Sequence, residues 1–480
     1  MLEAQAHLRL KQLLKDGAGS SWPHHLTLTR LVARSLRRGD HSLFPVSATA
    51  DRPWLLSLLL PVLMAEQPVL LIASEQLQRR LLQRELAALA AVGLRRPLWQ
   101  GVNPPHTSGL WMVNAAELVE IWRRNQLGEH QLICAEAEEF EEQLRQAQAI
   151  CLEPQHWDQL GRAKPELSAA LLQLHERLSR QLLNRPLGRA PSMAIAAEQE
   201  APLRLLLQGV EGLPEPWESW RQCNGTHWTS WAITEPQMLQ WSLVRQPLKP
   251  LESLVGLLKH RGAILIGALI PQGKRLQDLG LRHPVLVPLH TPERQEALPL
   301  FAPRLQVMPN SPFFPEQLLA HSRRLVLGQG GLSVLLVDDD PLRQWLTSAL
   351  AAEFGRRVDH EQTAPDSNGV ICCCWNWWLN HHEQLPQPSQ LIIGLLPIAS
   401  LEDPLTSARV SVLRQAGRDW FRELLLPEAI EKLQRGVAPL RNRANSRLAL
   451  LDGRLRGRAW GQKVLDSLEP WEPLERLIPA

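Results

Sequence analysis

Short apolar runs alternate with longer amphipathic stretches through most of the chain, and the two periods predict different elements. The first segment reads as a helix to about Lys15. A Gly17-Ala-Gly-Ser-Ser21 turn and Pro23 follow, then a basic helix over 27–38 that Gly39 closes. An apolar stretch at 54–64, a strand-like run at 68–73, a helix over 75–91 and another strand-like run at 131–134 continue the pattern. Strands alternating with helices predict a parallel α/β layer. Between about 138 and 221 the chain turns rich in Gln, Leu, Glu and Arg with few β-branched residues, which predicts an inserted helical domain. Strand signals return at 263–266 and 285–289. A passage containing Pro309, Pro312 and Pro315 is the expected linker. Strand-like runs at 332–337, 369–373, 390–395 and 448–451, with helices at 342–354 and 427–435, then restart the alternation. The expected fold class is α/β, with 69–72, 132–134 and 263–266 in one parallel sheet and 332–337 and 390–394 in another. The expected domains are 1–137 with 222–300, the insertion 138–221, and 301–480.

Composition changes this picture little. A chain of 480 residues exceeds one comfortable core, and 44% hydrophobic with 21% charged residues is the balance of a folded chain. Lys plus Arg number 52 against 49 Asp plus Glu, so any nucleic-acid surface must be local. The 18 Trp beside no Tyr are core material or a stacking platform for single-stranded bases. Cys134, Cys151, Cys223 and the run Cys372, Cys373, Cys374 contain no C-x-x-C pair, which argues against a metal site. The longest apolar run, 55–65, is about half the length a membrane span needs. With no secretory signal visible, the reading is cytoplasmic, with free thiols and no membrane.

The order of short motifs carries more. Gly262-Ala-Ile-Leu-Ile-Gly-Ala-Leu-Ile270 with a trailing Gly280-Leu281, then Ser311-Pro-Phe313, resemble the S-A-T-L strand, L-G-L and S-P-F elements of DinG-type helicases. Leu391-Ile-Ile-Gly-Leu-Leu-Pro-Ile398 and Asp403-Pro-Leu405 are similar to that family's I-I-x-K-L-P-F and D-D-P-L. The resemblance is densest over 420–461. There Trp420-Phe421, Leu426-Pro-Glu-Ala-Ile430, Leu433-Gln-Arg-Gly-Val437, Leu450-Leu-Asp-Gly-Arg454 and Trp460-Gly461 follow the family's order and spacing. Near the other end, Leu77-Gln78 and Leu81 resemble its L-Q-x-Q-L. The chain thus resembles the DinG/XPD branch of superfamily 2 DNA helicases over nearly its whole length. The resemblance implies two RecA-like lobes with a helical insertion in the first.

The residues of ATP chemistry are replaced at nearly every motif. A phosphate loop needs glycines whose N–H groups wrap the phosphates, a lysine for the β and γ oxygens, and a hydroxyl for magnesium. The aligned stretch is Ser47-Ala-Thr-Ala-Asp-Arg-Pro-Trp54, where Ser47, Thr49, Asp51 and Trp54 are the degenerate nucleotide-binding positions. Trp54 stands where the lysine belongs, Asp51 adds negative charge, and Pro53 removes a donor. Gly273-Lys274-Arg275 lacks the hydroxyl, and Gly328-Gln-Gly-Gly331 precedes its strand where a phosphate loop follows one. In Leu132-Ile-Cys-Ala-Glu-Ala-Glu138, aligned with D-E-A-H, Ala135 replaces the magnesium aspartate and Glu136 is the one retained acid and the candidate catalytic residue. Cys373-Cys-Trp-Asn-Trp-Trp-Leu379 replaces S-F-W-E-G-x-D and loses both carboxylates. Pro439 and Asn442 stand at two arginine positions, with Arg441 and Arg443 nearby. Between the phosphate-loop and acidic positions only Cys134 is present, so the four-cysteine iron–sulfur cluster of XPD is expected to be absent.

A nucleic-acid surface is the remaining candidate. Arg34, Arg37 and Arg38 share a helix end, and Arg454, Arg456 and Arg458 crowd the C-terminal region beside Arg435, Arg441, Arg443 and Arg447. Trp375 or Trp377, with Trp378, could stack a base. The leading expectation is a DinG-like homologue that binds single-stranded DNA with ATP hydrolysis lost or weakened. The rivals are an active 5′ to 3′ helicase using ATP and Mg²⁺, and a scaffold of helicase fold that docks a protein partner.

Overall fold

The computed structural model describes residues 2–17, 22–46, 52–183, 192–223, 227–235, 238–268, 277, 279–289, 297–442 and 445–474. The fold divides into two compact units. The first comprises Met1–Val46, Trp54–Leu289 and Ala399–Trp420, and the second Ser47–Pro53, His290–Ile398 and Phe421–Ala480.

In chain order the first unit contains β1 (His41–Pro45), β2 (Val69–Ile72), β3 (Leu98–Gln100), β4 (Leu110–Val113) and β5 (Gln131–Cys134). Then come β6 (Ile150–Leu152), β7 (Ser192–Ala194), β8 (Trp228–Glu235), β9 (Gln240–Pro247), β10 (Ala263–Gly267) and β11 (Val285–Leu286). Seven of these form a parallel sheet in the order β11-β1-β10-β5-β2-β4-β3. Its central strands are continuous apolar runs because both faces are covered. Val69 and Leu71 face a layer formed by helices Leu2–Lys15, His25–Arg38 and Trp54–Met64. Leu70 and Ile72 face the layer of Ala115–Arg123 and Phe140–Ala147.

The inserted segment departs from the purely helical expectation. Its helices surround an antiparallel sheet, β6-β9-β8-β7, that runs on to Pro247. Ala232 and Leu243 of that sheet join Trp157, Trp217, Trp220 and Trp241 in a core of their own. Tryptophan supplies the bulk that β-branched residues would otherwise give a strand. Helix Pro404–Gln415, which lies between the last strands of the second unit in sequence, packs on β7 and β8 in the first unit.

Among the described residues the second unit has seven parallel strands: β12 (Leu298–Phe301), β13 (Ser333–Leu336), β14 (Val358–His360), β15 (Val370–Cys373), β16 (Gln390–Ile393), β17 (Arg447–Leu450) and β18 (Trp471–Pro473). Their order is β14-β15-β13-β16-β17-β12-β18. The strands expected together at 69–72, 132–134 and 263–266, and those at 332–337 and 390–394, fall into two separate sheets as the apolar pattern requires. The Pro309–Pro315 passage, by contrast, is internal to the second unit, since β12 precedes it and Pro315 occupies the first turn of helix Phe314–Leu327. Proline fits there because the first turn has no N–H to donate within the helix. Among the described residues no helix is long and apolar enough to cross a membrane.

Candidate functional site

In open parallel sheets, ligands gather where strands end at their carboxyl edge. In the first unit that edge holds the ends of β2 and β5. Glu136, 4% exposed, accepts the N–H of Ser74 at 2.8 Å and the side-chain amide of Gln143 at 3.3 Å, both through Oε2. Ser74 in turn caps helix Glu75–Arg80, its hydroxyl accepting the Leu77 N–H at 3.2 Å. The retained acid therefore ties the end of β5 to the start of the helix after β2. Ala135 offers only a methyl group beside it, and Trp54 is 4% exposed in the core under the sheet. Ser47, Thr49 and Asp51 lie outside the described residues. The described residues at these positions thus offer a methyl group at Ala135, an engaged carboxylate at Glu136 and a packed indole at Trp54.

Cys134 lies within β5 and is buried, and burial pushes its thiol far above the ordinary range. Among the described residues no group of three or more His, Cys, Asp or Glu is placed to hold a metal ion.

The carboxyl edge of the second unit is electrically divided. At the β14, β15 and β13 end, Glu361 Oε1 accepts the Cys374 N–H at 3.1 Å and Asp338 Oδ1 accepts the Trp375 N–H at 2.8 Å. Asp339 caps helix Asp340–Phe354, accepting from Leu342 N at 2.9 Å. Arg343, 6% exposed, is held by the Val337 carbonyl at 2.9 Å, by Asp340 at 2.6 Å and by His360 at 3.2 Å. This end thus carries Asp338, Asp339, Asp340 and Glu361, with Arg343 paired to Asp340 and lying 3.6 Å from Glu361, while burial raises the Asp338 carboxyl above its ordinary range.

Trp375 is fully buried, its indole N–H donating to the Leu395 carbonyl at 3.0 Å, so no base can reach its face. Trp378 is buried too and donates to the Gly436 carbonyl at 2.9 Å. Trp377 is half-buried and stacked on His381 with ring centroids 4.6 Å apart. These tryptophans serve packing because each sits on helix Trp375–His381, which lies against Leu426–Val437.

At the β17 and β12 end the charge is opposite. Arg454 is engaged by the buried Asp452, whereas Arg456 and Arg458 are exposed, Arg456 donating to the Ala302 carbonyl at 3.2 Å. Arg441 donates to the Pro470 carbonyl at 3.3 Å, and also to that of Leu468, which makes it a strut for the β18 turn. Arg447, 6% exposed, is bound to Gln390 at 3.0 Å inside the sheet. Arg443 lies outside the described residues. Sequence spacing had given no reason to single out Asp338 or Glu361; the Asp338-Asp-Asp340 run after a strand was the available signal.

Two parallel-sheet units in series, the first interrupted by an inserted domain, with the motif positions at the strand ends, define the superfamily 2 helicase fold of DinG/XPD type. The chain has that fold. It aligns with an apo XPD structure at a TM-score of 0.63 and 12% identity, covering 93% of this chain and 100% of the other. An XPD helicase structure gives 0.64 at 10% identity over 95% and 99%, and Xpd4 of S. tokodaii 0.62 at 11% over 95% and 99%. In sequence the chain is 25% identical over 331 residues to the ATP-dependent DNA helicase YoaA of Escherichia coli K12, covering 64% of this chain and 50% of that protein. It is 30% identical over 125 residues to YoaA of Haemophilus influenzae, covering 26% and 20%. The chain spans half or less of the curated relatives it matches. No protein-family profile matches it.

Proposed function

We propose that the chain is a nucleic-acid-binding homologue of DinG-type helicases that has lost ATP hydrolysis, and that single-stranded DNA is its ligand. The observation that carries this reading is the state of Glu136: the last acid of the hydrolytic motif is buried and committed to Ser74 and Gln143, beside an alanine where a magnesium ligand belongs. The relatives' description as DNA helicases supports DNA as the polymer, and exposed Arg456 and Arg458 support phosphate contact. Six thiols free of disulfides are consistent with a reducing cytoplasm.

The test is a titration of purified protein with a fluorescent single-stranded oligonucleotide, with and without ATP and magnesium, beside a phosphate-release assay. Binding that weakens steeply with salt, unaltered by nucleotide, and phosphate release equal to a protein-free control are the expected results. DNA-stimulated phosphate release would refute the loss of hydrolysis, and failure to bind at low salt would refute the binding.

A further inference from the structure

Arg245 is the only charged residue of β9, and it is fully buried in the tryptophan-rich core of the inserted domain. Its Cζ lies 5.3 Å from the ring centroid of Trp220, which is fully buried as well. Glu200, on helix Ala197–Leu207, is 3% exposed, and Arg204 donates to its Oε2 from Nε at 3.1 Å and again from Nη2. Arg245 Nη1 stands 3.6 Å from that same oxygen, outside hydrogen-bond reach. The Nε and Nη1 of Arg245 and the Nε1 of Trp220 are buried donors without an acceptor among the described residues.

Two guanidinium groups therefore share one carboxylate. The groups whose charge acts on Arg245 are Glu200, Arg204 and Cys223, and burial raises the Cys223 thiol, which keeps it neutral. The cluster thus holds one positive charge in excess, with Arg245 on its buried side and Arg204, its side chain 33% exposed, toward solvent. An apolar core tolerates a guanidinium only when both its charge and its hydrogens are met. Water would accept the hydrogens and leave the charge, whereas an anion meets both. Glu200 lies against Nη1, which leaves the Nε–H flank of the planar group for a second acceptor. Ser230 stands opposite Arg245 in the β8–β9 register, on the same face of the sheet, so a small side chain with a hydroxyl flanks the guanidinium. The burial of Arg245, Trp220 and Glu200 restricts the ligand to a few atoms at most.

We propose that the inserted domain binds a small monovalent anion of the halide class, held by the Nε–H of Arg245 and the indole N–H of Trp220. The anion cancels the excess charge and joins β9 to helix Trp217–Gln222, so its binding stabilises the folded domain. This inference is independent of the nucleic-acid reading.

The experiment follows thermal unfolding of the full chain by tryptophan fluorescence while sodium chloride replaces sodium gluconate at constant ionic strength, gluconate being too large to enter. The melting temperature should rise with chloride and saturate, as binding at a single site requires. Arg245→Met should lose the dependence, and it should fold because an apolar side chain of similar volume replaces a buried charge. Trp220→Phe keeps the packing ring but removes the donor, and should weaken chloride binding about tenfold or more. Arg180→Gln, which breaks an exposed pair with Glu176 in the same domain, should respond to chloride as the parent does. A crystal soaked in sodium bromide should show an anomalous peak within hydrogen-bond distance of Arg245 Nε.

A melting temperature indifferent to chloride would overturn the site. A rise that never saturates and is the same in the parent and in Arg245→Met would be a general salt effect and overturn it too. So would ordered water, without bromide, on Arg245 Nε. Should Arg245→Met fail to fold, Trp220→Phe and the bromide peak decide the question.

Discussion

Arg454 is clamped by Asp452: its Nε lies 3.0 Å from both carboxylate oxygens and its Nη2 2.6 Å from Oδ2. Asp452 is fully buried and also accepts the N–H groups of Leu396 and Arg454, each at 2.9 Å. The pair thereby joins the end of β16 to the turn after β17, and its charge is cancelled inside the protein. Removing the acid would strand two backbone donors and leave the guanidinium without its partner. Asp452→Ala should therefore cost about 2–4 kcal/mol of stability in urea unfolding. Arg454→Gln should leave the salt dependence of strand binding almost unchanged, whereas a slope that falls as much as for Arg456→Gln would show that Arg454 meets phosphate after all.

Gly436 makes room for two indoles. A Cβ there would lie 2.6 Å from Trp375 Cζ3 and 3.4 Å from Trp378 Cδ1. Alanine would gain about 1 kcal/mol of helix propensity, and overpacking would cost about 1–3 kcal/mol. The steric term wins because both tryptophans are fully buried and their indole N–H groups are tied to Leu395 and Gly436. Gly436→Ala should lower the melting temperature and alter near-ultraviolet circular dichroism from tryptophan; a stabilised variant would contradict the packing described.

The parallel strands were legible because four-residue apolar runs such as Val69–Ile72 have no other way to be buried on both faces. The hairpin β8–β9 was missed for a physical reason: its strands draw bulk from Trp228, Trp231 and Trp241 and bury a charged residue, Arg245. Two eight-residue runs separated by four residues were the signal that could have found it. Motif order likewise located the strand ends where a site would sit. It could not show that Glu136 binds Ser74 or that Arg454 binds Asp452, since those partners are set by packing and not by spacing.

His382 follows helix Trp375–His381, its ring 5.5 Å from that of Trp378. Burial pushes its imidazole down to about 4, and the positive charges of Arg52 and Arg435 push the same way. Burial also lowers His130, His175 and His321. Between the folded value near 4 and the unfolded value near 6.5, the unfolded chain binds more protons than the native one. Stability should accordingly rise with pH across that window, His382 contributing up to about 1.4 kcal/mol per pH unit. His382→Gln should flatten the slope measured by urea unfolding between pH 4.5 and about 6.5. An identical slope in parent and variant would rule out this assignment.

Glu136→Gln separates a structural carboxylate from a catalytic one. In a working hydrolase, removing a general base costs about 10² to 10⁴ in rate. Here Oε2 is already occupied by the Ser74 and Gln143 donors, and the neighbouring Ala135 cannot bring a metal ion within its reach. Glutamine keeps one carbonyl oxygen for the Ser74 N–H but loses the charge that strengthens the bond, a loss of about 1 kcal/mol. The variant should melt slightly earlier than the parent, and phosphate release should equal the protein-free control for both, with or without DNA. A parent turnover of even about 1 per second that disappears in the variant would restore Glu136 to catalysis and refute the loss of hydrolysis.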